Sequence, residues 1–128
     1  MRSNSYSLDL CVVVQHRGQP EAFEGPFTLG LLTAPPTPEG THAKELQAPG
    51  YVRAAIEFGP PVNDDPRSAR RSEGRTSFGA IGGHAGEVTH VALFRGDEIV
   101  AYGLPIPAPG HIAPGEIAFE SGAVRVRF

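Results

Sequence analysis

At 128 residues, 40% of them hydrophobic, the chain is sized for a single domain, 1–128, with a core that needs neither a metal nor disulfides. A formal net charge of −3 excludes a nucleic-acid binder that works by bulk positive charge, and a single cysteine, Cys11, excludes an intrachain disulfide. No segment approaches the roughly 20 apolar residues of a membrane span, so no membrane partner is expected.

The N-terminal apolar run is too short for a signal peptide and carries Asp9 within it. Folding in a reducing cytoplasm is therefore expected, with Cys11 as a small buried hydrophobe in a strand. Gly 16 and Pro 13 exceed average usage and suit many short strands joined by turns.

The first predicted strand covers 7–15, with Leu8, Leu10, Val12 and Val14 on one face and Val13 on the other. A second covers 27–32, where Phe27, Leu29 and Leu31 alternate with Thr28 and Gly30. Three prolines within 34–40 forbid a regular ladder there. A third strand, 51–58, alternates Val52, Ala54, Ile56 and Phe58 with Tyr51, Arg53, Ala55 and Glu57 before Pro60 and Pro61 stop it.

Residues 63–75 hold Asp64, Asp65, Arg67, Arg70, Arg71, Glu73 and Arg75 and no large apolar side chain. With nothing to bury, this segment is expected to be an exposed polar loop. A short strand at 76–78 leads into the glycine-rich connection 79–86. Strands at 88–94 and 98–104 flank Arg95-Gly96-Asp97 as a hairpin, and strands at 117–119 and 123–128 flank Glu120-Ser121-Gly122 likewise. About eight strands and no amphipathic helix predict an all-β domain, an antiparallel, jelly-roll-like β-sandwich.

Chemistry is thinly represented. His16, His42, His84, His90 and His111 show no ligand spacing, and His90, inside a strand, reads as a hydrogen-bonded structural histidine. The glycine-rich 79–86 lacks the Lys-Ser/Thr ending of a phosphate loop and precedes a strand instead of a helix. No nucleophile elbow is present, and no carboxylate is marked as a general acid. No catalytic residue, cofactor or metal is therefore expected. Tyr 3, Phe 7 and Trp 0 supply a sugar-stacking platform poorly.

Three ordered segments carry a resemblance. They are Phe27-Thr28-Leu29-Gly30-Leu31-Leu32-Thr33-Ala34-Pro35, then the run from Pro49-Gly50-Tyr51-Val52-Arg53 to Gly59, then Val88-Thr89-His90-Val91-Ala92-Leu93-Phe94 with Tyr102-Gly103-Leu104 and Ala113-Pro114-Gly115-Glu116 beyond it. In order and spacing they resemble a family of small virion proteins of tailed bacteriophages, labelled tail-fibre or head-decoration proteins. The resemblance covers about 27–128. It implies a non-enzymatic structural protein of the virion, a capsid decoration subunit before a tail-fibre or carbohydrate- and receptor-binding module. It also implies a major capsid or tail protein as partner and a homotrimer as the unit. Because 7–15 is apolar on both faces, Leu10, Val12, Val13 and Val14 are the expected assembly interface.

Overall fold

The computed structural model describes residues 4–41, 43–64, 67–81, 87–106 and 115–128. Twelve strands run through them in the order β1 (Asn4–Ser5), β2 (Ser7–Val12), β3 (Phe27–Ala34), β4 (Lys44–Glu45), β5 (Ala54–Phe58) and β6 (Val62–Asp64). They continue with β7 (Arg67–Glu73), β8 (Thr76–Ile81), β9 (His90–Arg95), β10 (Glu98–Ile106), β11 (Gly115–Phe119) and β12 (Val124–Arg127). The only helical turn among the described residues is a 3₁₀ turn at Val14–His16.

The fold is all-β, and the pairing closes on itself. Strands follow one another as β12-β2-β10-β9-β3-β5-β7, and β7 pairs back onto β12. That ring of seven is a closed barrel, which corrects the expected sandwich. Two of its features also depart from a purely antiparallel plan: β12 runs parallel to β2, and outside the ring β1 runs parallel to β11. β4 and β6 add to the outside of β3 and β7, and β1, β11 and β8 form a separate three-stranded sheet.

The strand that closes the ring is the segment read as a loop. β7 pairs with β12 through 69–71, with β5 through Ser72 and Glu73, and with β6 through 67–69. Its period-two pattern is real but carries no large apolar residue. Ser72 is buried, and its hydroxyl accepts the Val124 N–H at 3.2 Å. Arg70 lies opposite inward-facing Val126 and caps one end of the barrel. Its guanidinium donates to the carbonyls of Gly59 (2.7 Å), Pro20 (3.3 Å) and Phe23. Backbone carbonyls thus satisfy a charge that a hydrophobic pattern would never place inward.

The interior is filled from every strand of the ring except β7. Leu8, Leu10 and Val12 of β2, Leu29 and Leu31 of β3, Ile56 of β5, Val91 and Leu93 of β9, Val100 of β10, and Val124 and Val126 of β12 form one cluster. Phe23 stacks on Phe27 at 4.8 Å and meets Phe128 edge-on at 4.9 Å beside Arg70. Phe78 and Phe119 of the three-stranded sheet join the same cluster. Among the described residues the barrel interior is a packed core.

A second cluster, Val13, Leu32, Ala92, Phe94 and Ile99, sits apart from it, with Ala43 and Tyr102 packed against it. Residues 34–41 and 43–45 lie against this cluster, tied down where the Val14 N–H meets the Pro38 carbonyl (3.1 Å) and where Gly40 abuts Ile99 and Val13. The two-sided apolarity of 7–15 therefore has an internal cause. β2 ends at Val12, and the chain turns so that Val13 enters the outer cluster.

Beside that cluster lies a polar clasp. The Arg53 guanidinium sits 3.8 Å from the Phe94 ring centroid and meets Glu45 bidentately, both contacts at 2.9 Å. It also reaches Asp97 at 3.0 Å. The Tyr51 hydroxyl donates to Glu45 and accepts the Leu31 N–H at 2.9 Å. Gly30 makes room for all of this, since a β-carbon there would lie 2.6 Å from Phe94 and 3.0 Å from Glu45.

Burial raises the Glu45 carboxyl, yet the hydrogen bonds from Arg53 and Tyr51 outweigh it and hold it below its ordinary 4.5. A folded-state pKa depressed in this way stabilises the fold above the unfolded-state value and loses that contribution as pH falls through the folded one. Glu45→Gln is expected to flatten this part of the acid limb. Urea unfolding across a pH series should show the two proteins diverging above pH 4.5 and converging in acid.

Candidate functional site: an open groove on the outer wall

With the described interior packed, the outer surface is where a partner can be sought. A hollow of about 500 Å³ lies over β2 and β10. Its lining comes from the β2–β10 register, in which Cys11 pairs with Tyr102 and Asp9 with Leu104. Because β2 alternates, Leu8, Leu10 and Val12 point into the core while Asp9 and Cys11 point out. Arg17, Pro38 and His90 complete the rim.

The groove mixes apolar and charged groups. Leu104 is 59% exposed. The Asp9 carboxylate is gripped by Arg125 (2.7 and 2.8 Å) and Arg127 (3.3 Å), and the Arg125 hydrogen bond holds its pKa below the ordinary carboxylate value. His90 Nδ1 lies 2.9 Å from Thr89 Oγ1, and partial burial lowers its pKa. Such a surface can bind by shape and rim charge. Among the described residues, no three His, Cys, Asp or Glu side chains gather to hold a metal ion.

Cys11 is exposed and lines the groove, which corrects its expected burial: it falls on the outward parity of β2. His42, His84 and His111 lie outside the described residues, as do most of the glycine-rich connection and of the Pro-rich loop before β11. Of the four interface residues read from the sequence, Leu10, Val12 and Val13 are 0%, 5% and 1% exposed and belong to the chain's own two clusters. Val14, at 44%, is the one with free surface.

Val13→Asp should consequently act on folding before assembly, since it would set a carboxylate at a site 1% exposed among Leu32, Ala92, Phe94 and Ile99. A loss of about 3 kcal/mol or more is expected, against little for Val14→Asp. Thermal unfolding of both variants decides the point. Equal melting temperatures would mean that Val13 faces a partner and not the core.

The groove and the clasp escaped sequence reasoning because their members lie far apart in the chain (Cys11 and Tyr102) or in a segment with no period (Glu45). The signal that was present is the Tyr51–Arg53 pair in the second resemblance segment, whose two polar side chains are those of the clasp.

In comparison with known proteins, the family model described as Podophage GP4 fiber I protein gp80 matches residues 13–98, about two-thirds of the chain and everything from β3 to β9. No curated protein and no solved structure matches significantly.

Proposed function

From membership of the podophage GP4 fiber I protein gp80 family, to which this chain belongs, we propose that the protein is a non-enzymatic structural subunit of a phage tail fibre. The observation that carries this reading is the family match across 13–98. A barrel with a filled interior supports it, because such a body offers rigidity and outer surfaces. The fibre takes precedence over the head-decoration role expected from the resemblance, because the matching family is described as a fibre protein. On this reading the chain is made in the host cytoplasm and resides in the virion.

We assign the groove over β2 and β10 to a neighbouring virion protein. An exposed Leu104 beside Asp9, Arg17 and His90 is the apolar centre and polar rim that protein interfaces carry. Cys11, the sole cysteine, gives a direct probe. A photo-crosslinker on Cys11 should capture a tail protein in purified particles, and immunogold should decorate fibres. Protein absent from particles, or gold on the head shell, would overturn the proposal.

A further inference from the structure

The outer wall along β7 carries two like-charge pairs side by side. Arg71 lies directly opposite Arg125 of β12, and Glu73 lies directly opposite Glu57 of β5. Like charges set opposite each other across two strands destabilise a sheet. Relief within the chain is uneven. Asp9 holds Arg125 at 2.7 Å, whereas the Arg71 guanidinium reaches the Gly122 carbonyl at 3.3 Å, and among the described residues neither Glu57 nor Glu73 has an ion pair. Arg71, Glu57 and Glu73 are all exposed.

One member of each pair, Arg71 and Glu73, flanks a hollow. Gly59, Pro60, Val62 and Ser72 line it, walled by Arg71 and Glu73, with a volume of about 270 Å³. Val62 at its edge is 49% exposed. Arg71 and Glu73 are two residues apart on one strand face, which sets the basic and acidic halves about 7 Å apart. An apolar centre between adjacent patches of opposite sign is complementary to itself when turned by a two-fold rotation.

We propose that this face is an interface with a second copy of the same chain, related by a two-fold axis through the hollow. The Arg71/Arg125 pair of one copy meets the Glu57/Glu73 pair of the other, and reciprocally, so that one contact neutralises all four like-charge pairs. Val62 of each copy covers the apolar centre. The inference stands apart from the fibre assignment, since it centres on β7 and not on the groove over β2 and β10, and is read from the purified chain alone.

Sedimentation of the full chain tests it. A concentration-dependent dimer is expected, weakened by salt as exposed ion pairs are. Arg71→Glu alone and Glu73→Arg alone should each weaken dimerisation on the order of tenfold or more. An equimolar mixture of the two should restore it, because each acidic face then meets a basic one, and the doubly swapped R71E/E73R chain should dimerise by itself. If either charge reversal impairs folding, Arg71→Gln and Glu73→Gln should still weaken the dimer. A monomer at every concentration, a trimer indifferent to these changes, or a mixture that fails to recover would overturn the inference while leaving the particle-level evidence for a fibre intact.

Discussion

Replacement of Arg67–Glu73 by a Gly-Ser linker of equal length is expected to abolish the folded protein. β7 is the one strand bonded to β12, β5 and β6, so its loss opens the ring on both sides. It also removes the Ser72 hydroxyl that takes the Val124 N–H and the Arg70 guanidinium that ties 20–23 and Gly59 to the barrel end. The exposed core around Phe23 and Phe128 and two unpaired edges would then favour aggregation. Against a total stability of about 5–15 kcal/mol, removing a central strand is not survivable. The check is soluble yield with circular dichroism. A soluble variant that melts like the wild type would mean that the segment is a loop after all and that the barrel does not close.

Among the glycines whose surroundings are described, Gly103→Ala is expected to be the most damaging alanine substitution. A β-carbon at 103 would run into the backbone carbonyl of Asp9 and lie 3.3 Å from the Leu10 Cα. Those are main-chain atoms of the paired strand β2, which cannot swing aside as a side-chain tip can. Overpacking of this kind costs about 3 kcal/mol, and here it strikes the β2–β10 pairing that also floors the groove. Gly74 makes the control: its φ of 77° penalises alanine, but nothing lies within 4 Å of an added β-carbon. Gly74→Ala should cost only about 1 kcal/mol. Chemical denaturation of the two variants separates lost space from lost conformational freedom.

The strands that sequence made legible are those whose inward positions are apolar. β3, β5, β9, β10 and β12 each place Leu, Ile, Val or Phe on the core parity, and the turn at 95–97 marks its hairpin by Gly96, whose φ is 63°. β7 stayed hidden because its inward residues are Arg70 and Ser72, neutralised by carbonyls and a backbone N–H that belong to distant parts of the chain. That one omission changes the architecture, since the same strands without β7 form an open sheet and with it a barrel. The burial of Val13 within the chain was hidden for a related reason. Alternation shows that Val13 leaves the face of Val12, but not that the segment of Pro38, Gly40 and Ala43 lies across the outer wall to bury it. The groove, assembled from Asp9, Cys11, Tyr102 and Leu104 by strand register, has no linear signature at all.

The assignment to a fibre is tested most directly by particles of the parent phage from which this gene has been deleted, imaged by cryo-electron microscopy and assayed for adsorption. The account predicts filled, stable heads, loss of density from the fibre, and adsorption restored when the intact chain is supplied in trans. Complete fibres and normal adsorption, together with heads that leak DNA on heating, would contradict it and return the protein to the capsid surface.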